Sequence, residues 1–124
     1  MINAEFLSQC SDEQINKGVA WCVVSNANIS MKLTSEKYSF AASFLRSKSN
    51  KTLINYKLYC TSPNDIMPIA FANAISLETH DGSMWWADAP IIKDDSLEKT
   101  ITSRELKNPL RAICEVYILM SVNK

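Results

Sequence analysis

The passage that most constrains the fold is Asn108–Ile118. Asn108 carries the side-chain acceptor of a helix N-cap. Pro109 suits the first helical position, where its missing N–H would have no intrahelical partner. Leu110, Ile113, Cys114, Tyr117 and Ile118 then recur at helical spacing. A helix with so continuous an apolar face must be covered by other elements. Its expected cover is an antiparallel sheet, because elsewhere the hydrophobic period drops to two. Ile29, Met31 and Leu33 alternate with polar residues, as do Tyr38, Phe40, Ala42 and Phe44, and then Ile54, Tyr56 and Leu58. Such alternation buries one face of a strand and wets the other. Ile75 and Leu77 face Met84-Trp85-Trp86 across His80-Asp81-Gly82, a two-residue hairpin signal. The expected architecture is α+β: an antiparallel sheet of four to five strands packed against two to three helices, with the C-terminal helix central.

Two further helices are written in local chemistry. Ser11-Asp12-Glu13-Gln14 is a capping box, followed by Ile15, Val19, Cys22 and Val23, so residues 12–24 read as an amphipathic helix. Residues 4–8 add a short preceding turn. Ile66, Ile69 and Ala70 form another stripe after Pro63, which suits a first helical turn. Pro68 restricts this helix, since in an interior position it removes a backbone bond. Placing Pro68 in the first turn makes Asp65 the N-cap and Asn73 the left-handed stop. Residues 88–107 read as charged and irregular, apart from a short strand near Thr100–Thr102. With two glycines, four prolines and no repeat or low-complexity tract in 124 residues, 1–124 reads as a single domain.

Composition narrows the chemistry. Thirteen basic and thirteen acidic residues give a net charge of +0, without the basic excess that phosphate neutralisation favours in nucleic-acid binders. Arg46, Lys48 and Lys51 form one local basic loop, read as the solvated tip of a hairpin. The four cysteines, Cys10, Cys22, Cys60 and Cys114, form no C-x-x-C pair, and His80 is the single histidine, so zinc-ligand spacing is missing. No metal and no cofactor are expected. Two glycines exclude the glycine-rich phosphate cradles of nucleotide-hydrolysing and dinucleotide folds. His80 sits in an expected exposed turn with no nucleophile placed beside it, and Asp12-Glu13 and Asp94-Asp95 read as a helix first turn and a polar loop. No signal peptide and no membrane-length apolar run are evident, so a cytoplasmic protein with reduced thiols is expected.

The sequence therefore points to binding rather than catalysis. On a strand, Trp85 and Trp86 must face opposite ways, so one enters the core and the other either is an outward anchor or stacking platform or is covered by a helix, which makes both structural. Arg111 lies near the positive end of the last helix, where the dipole offers it nothing. It is expected either to pair with a carboxylate, Asp65 being the obvious one, or to help hold an anion. Asn64, Asp65, Trp85, Trp86, Asn108 and Arg111 are the candidate ligand-binding residues. They assemble two helix starts, a cation, a carboxylate and aromatic planes, which suits an anionic, ring-bearing ligand.

Several segments resemble the NinX-like proteins of lambdoid phages and prophages. These are the opening Ser11-Asp12-x-x-Ile15-Asn16-Lys17-x-Val19-Ala20 and the set Cys60, Pro63, Asp65, Pro68 and Ile69. Ile75-Ser76 before a tryptophan strand and Asn108-Pro109-Leu110-Arg111-Ala112 complete the pattern. Residues 29–59 show no counterpart. Thr61 and Ser62 replace asparagines frequent in the family, and Met67 replaces a tryptophan. The resemblance implies a phage accessory protein inside a bacterial host cell, and it implies no particular activity. The expected role is counter-defence or host takeover, by sequestering a nucleotide-like signal or masking a host effector protein. The alternatives are a small hydrolase or nuclease using His80, and a nucleic-acid-binding module using the Arg46–Lys51 loop. A homo-oligomer is compatible with an exposed tryptophan or an unpaired strand edge.

Overall fold

The structure, a computed structural model, describes residues 2–27 and 56–123. In chain order these form α1 (Ala4–Ser8), α2 (Asp12–Ala27), α3 (Pro63–Ala72), β1 (Ser76–Thr79), β2 (Trp85–Lys93), β3 (Ser96–Thr102) and α4 (Pro109–Val122). The fold is α+β. Among the described residues the sheet has three antiparallel strands in the order β1-β2-β3, fewer than the four to five expected. The strands anticipated between Ile29 and Phe44, and the Arg46–Lys51 loop, lie outside the described residues. In the run Ile54–Leu58, residues 56–58 are irregular and a turn follows at 59–61.

α4 is the axis of the core. Every residue from Ala112 to Val122 is buried, Glu115 and Ser121 included. It packs most heavily on β2 and then on α2. A single apolar face understates it: neighbours surround the helix on all sides. Asn108 caps it as expected, its Oδ1 accepting from the Leu110 amide at 3.0 Å and the Arg111 amide at 3.4 Å, with Pro109 in first position. The capping box of α2 closes in both directions. Ser11 Oγ accepts from the Gln14 amide at 3.2 Å, and Gln14 Oε1 accepts from the Ser11 amide at 2.8 Å. α2 is likewise buried on every side from Ile15 to Cys22, with Asn16 and Lys17 inside.

Four local expectations give way. α3 starts at Pro63 with Ser62 as cap, so Pro68 lies inside the helix and Asp65 in its first turn rather than at its cap. The proline at the first position decides where the helix begins, and the interior proline costs one backbone bond. At the other end Asn73 is not left-handed; Ala74 is, at φ 55°. The Ile75 amide bonds the Ala70 carbonyl at 2.9 Å and the Ala74 amide bonds the Phe71 carbonyl at 3.4 Å, a Schellman closure that glycine normally supplies. Finally, 88–107 is far from irregular. β2 runs through to Lys93 and turns on Asp94 (φ 51°) and Asp95 (φ 60°) into β3, with Lys93 opposite Ser96. Both central residues of that two-residue turn are left-handed, which aspartate tolerates. The five-residue loop 80–84 joins β1 to β2, longer than the two-residue hairpin expected there.

Candidate functional site

The polar residues that looked most like a ligand site are tied to one another. Arg111 does not reach Asp65. Its Nη1 donates to Asp12 Oδ1 at 2.7 Å and its Nε to Glu115 Oε2 at 2.8 Å. Its Nη2 donates to the carbonyls of Leu7 at 3.0 Å and Cys10 at 2.6 Å, which closes the end of α1. Burial works against this guanidinium's charge, but its bonds to Glu115 and Asp12 outweigh that and hold it above its ordinary value. Glu115, 1 % exposed, also accepts a two-pronged pair from Arg104, at 3.0 and 3.1 Å. Arg104 is fixed in turn by the chain on either side. Ser103 bonds Ala87 through its amide and hydroxyl, and Leu106 exchanges two backbone bonds of 2.7 Å with Trp85.

Asn108 is equally occupied. Besides capping α4, its Nδ2 donates to the Cys60 carbonyl at 2.8 Å, while the Cys60 amide donates to Asn16 Oδ1 at 2.9 Å. The starts of α3 and α4 are therefore brought near each other, with Cys60 three residues ahead of Pro63. Asp65 lies close enough to Tyr59 that its carboxylate adds to burial in raising that phenol's pKa. Asn64 is exposed in the first turn of α3. Burial, and then a hydrogen bond with the Cys60 thiol, pushes the Cys114 thiol well above its usual range, which keeps it protonated and unreactive. Neither Glu115 nor Arg104 was singled out in the sequence. The signal for Glu115 was a lone carboxylate in an apolar helix, four residues after an arginine; Arg104 carried no comparable mark.

The two tryptophans take opposite parities on β2, but both are only half-buried and neither belongs to the core cluster, so the expected entry of one into the core is not seen. Ala87, Ala89 and Ile91 are buried on the α4 side of β2, and Trp85 shares their parity. Trp86, Asp88, Pro90 and Ile92 take the opposite, outer face, where the register adds Glu78 beside Trp86, Ser76 and Thr102 beside Asp88, Thr100 beside Pro90 and Leu97 beside Ile92. Among the described residues no helix packs on this side. Trp86 is half-buried and meets the ring of His80 at 4.7 Å between centroids, tilted by 47°. Asp88 Oδ1 accepts from the Thr102 hydroxyl at 2.6 Å. Leu97 and Ile92 are 61 % and 56 % exposed. A shallow cleft of about 210 Å³ opens between Ala74, Ser76, Asp88, Pro90, Leu97 and Thr100. Both charged residues that the strand register puts on this face, Glu78 and Asp88, are acidic. Of the six candidate residues, Trp86 alone belongs to it.

His80 meets the Trp86 ring on this face, and the adjacent Asp81 turns instead to Ser83, accepting from its hydroxyl and amide at 2.6 and 2.9 Å. Among the described residues no three His, Cys, Asp or Glu side chains gather as a metal site requires, and no helix is long and apolar enough to cross a membrane. Comparison with protein-family models, with curated proteins and with solved structures finds no match for this chain.

Proposed function

We propose that this chain works by binding a protein, as a phage accessory factor in a bacterial cytoplasm that masks a host effector, and that the outer sheet face is where it binds. The observation that carries the reading is the outward Trp86, paired with His80 beside a cleft, on a face that no described element covers. Tryptophan is among the residues most often decisive at protein interfaces, because a large rigid ring is buried at little entropic cost. The phage setting rests on the sequence resemblance alone. Sequestration of a nucleotide-like signal has less support, since the cation it needs, Arg111, already makes four internal hydrogen bonds. Glu78 and Asp88 also disfavour a phosphate on the outer face.

The test is quantitative affinity capture from a bacterial lysate with the intact chain and with Trp86→Ala, after both are shown to melt cooperatively. A protein enriched by the first and lost with the second is the expected result; equal enrichment by both overturns it. Thermal-shift screening against linear and cyclic nucleotides runs alongside. A nucleotide present at about 100 times its Kd would add roughly 2.7 kcal/mol to stability, and such a shift would return the role to small-molecule sequestration.

A further inference from the structure

The cleft beside Trp86 has a composition and size that say more about its occupant. At about 210 Å³ it is smaller than the roughly 300–1,000 Å³ of sites that enclose small molecules. It has room for one long side chain. Its apolar wall is Pro90 and Leu97, its polar wall Ser76 and Thr100, and its charge is the Asp88 carboxylate. An ionised carboxylate offers about four acceptor positions, and the Thr102 hydroxyl takes up one of Asp88's. Glu78 adds a second negative charge across from Trp86, on the same face.

Resting on the reading that the outer face binds a protein, we infer that the cleft is a socket for one basic side chain, arginine or lysine, presented by an extended segment of the partner. The aliphatic stem lies against Leu97 and Pro90, and the cationic head meets Asp88. Arginine and lysine stems pack along apolar walls in this way while their heads keep polar company. Charge complementarity selects the occupant: an acidic segment meets two carboxylates, and a neutral one leaves Asp88 without a counter-charge. Trp86 and Asp88 are two residues apart on β2, so their spacing, about 7 Å, equals that of alternate side chains of an extended strand. One partner segment thus reaches the indole and the socket together.

The experiment uses the full chain, isotope-labelled, titrated with short extended peptides that differ only at one central residue: arginine, lysine, glutamine or glutamate. The arginine and lysine peptides are expected to shift the amides of Asp88, Leu97 and Thr100. Affinity should fall roughly tenfold or more in Asp88→Asn, which keeps the acceptor for Thr102 but loses the charge. Equal binding of the glutamine or glutamate peptides overturns the socket, as does a response mapped elsewhere on the chain. Perturbation of residues 46–51 by Asp88→Asn in the peptide-free protein also overturns it, because the chain's own basic segment would then be the occupant. A captured protein that depends on Trp86 but is indifferent to Asp88→Asn removes the socket and leaves the binding face; indifference to both removes the two together.

Discussion

The junction of α1, α2 and α4 and the outer face of the sheet handle polar groups in opposite ways. At the junction, polar atoms turn inward and are used up on one another. Asp12 and Arg111, 99 residues apart in sequence, meet at 2.7 Å; Glu115 holds two arginines; Asn16, Cys60 and Asn108 form a relay between three segments. On the outer face a half-buried tryptophan, two carboxylates and two exposed aliphatic residues have no helix over them among the described residues. Asp12, Asn16, Cys60, Asn108 and Arg111 are also residues on which the resemblance to the phage family rests. In this chain those motif positions knot the fold together. A motif built of aspartate, asparagine and arginine reads as a ligand site until its partners are known, and here the partners are internal.

The sharpest way to break this contrast is Arg111→Ala. It leaves Glu115 with one partner, Asp12 with none among the described ion pairs, and two carbonyls at the end of α1 without their donor. Removing one side of a buried pair costs about 3–5 kcal/mol, read as a lowered urea midpoint and melting temperature. Trp86→Ala, on the outer face, should cost only about 1–2 kcal/mol, the aromatic pair together with the apolar area that the half-buried ring covers. Comparable losses for the two would mean that the outer face belongs to the core. Asn108→Ala comes between them. It removes an N-cap, about 1 kcal/mol, and strands the Cys60 carbonyl, a further 1–3 kcal/mol, so a loss of about 2–4 kcal/mol is expected by the same measurement.

The same contrast explains what the sequence disclosed. α4, the α2 capping box and the opposed tryptophans follow from patterns within a few residues, where spacing and backbone chemistry suffice. Of β3 only the end near Thr100–Thr102 was legible, because its burial never alternates. Six of its seven residues are exposed, so Ser96–Thr102 lacks the period by which a strand is recognised. Its turn was hidden too, since two left-handed aspartates stand where Asn-Gly or Asp-Gly is the usual sign. Asp65 looked like the partner of Arg111 because both were assigned to helix starts. The true partners, Asp12 and Glu115, are set by how three helices cross, which no local window contains. The cleft, assembled from the α3 exit and three strands, was invisible for the same reason.

Backbone strain sharpens the comparison at the rim of the outer face. Ala74 holds a left-handed conformation at φ 55° to close α3, and it is exposed. Left-handed geometry costs a residue with a Cβ about 1–2 kcal/mol, part of which glycine gives back through its more disordered unfolded chain. Ala74→Gly should therefore raise stability by about 0.5–1 kcal/mol. An unchanged or lowered melting temperature would show that the methyl group packs against something the Schellman closure does not account for.

The smallest effect belongs to the loop that carries His80. Asp81 accepts from the Ser83 hydroxyl at 2.6 Å and from the Ser83 amide at 2.9 Å, and these bonds, the hydroxyl's first, hold its carboxyl below the ordinary value. A depressed folded value means that the loop gains from the ionised form. That gain is fully present above the carboxyl's unfolded value and disappears as pH falls through the lower, folded one. Because the side chain is open to solvent, global stability should scarcely register the change. The Ser83 amide resonance should report it directly, losing its hydrogen-bonded shift only in the acid range, below the titration of an unstructured aspartate. The Trp86 indole signal, one ring away through His80, should follow with a smaller response. A Ser83 amide that keeps its shift unchanged through the acid range would show that the Asp81 carboxylate is not what orders this turn.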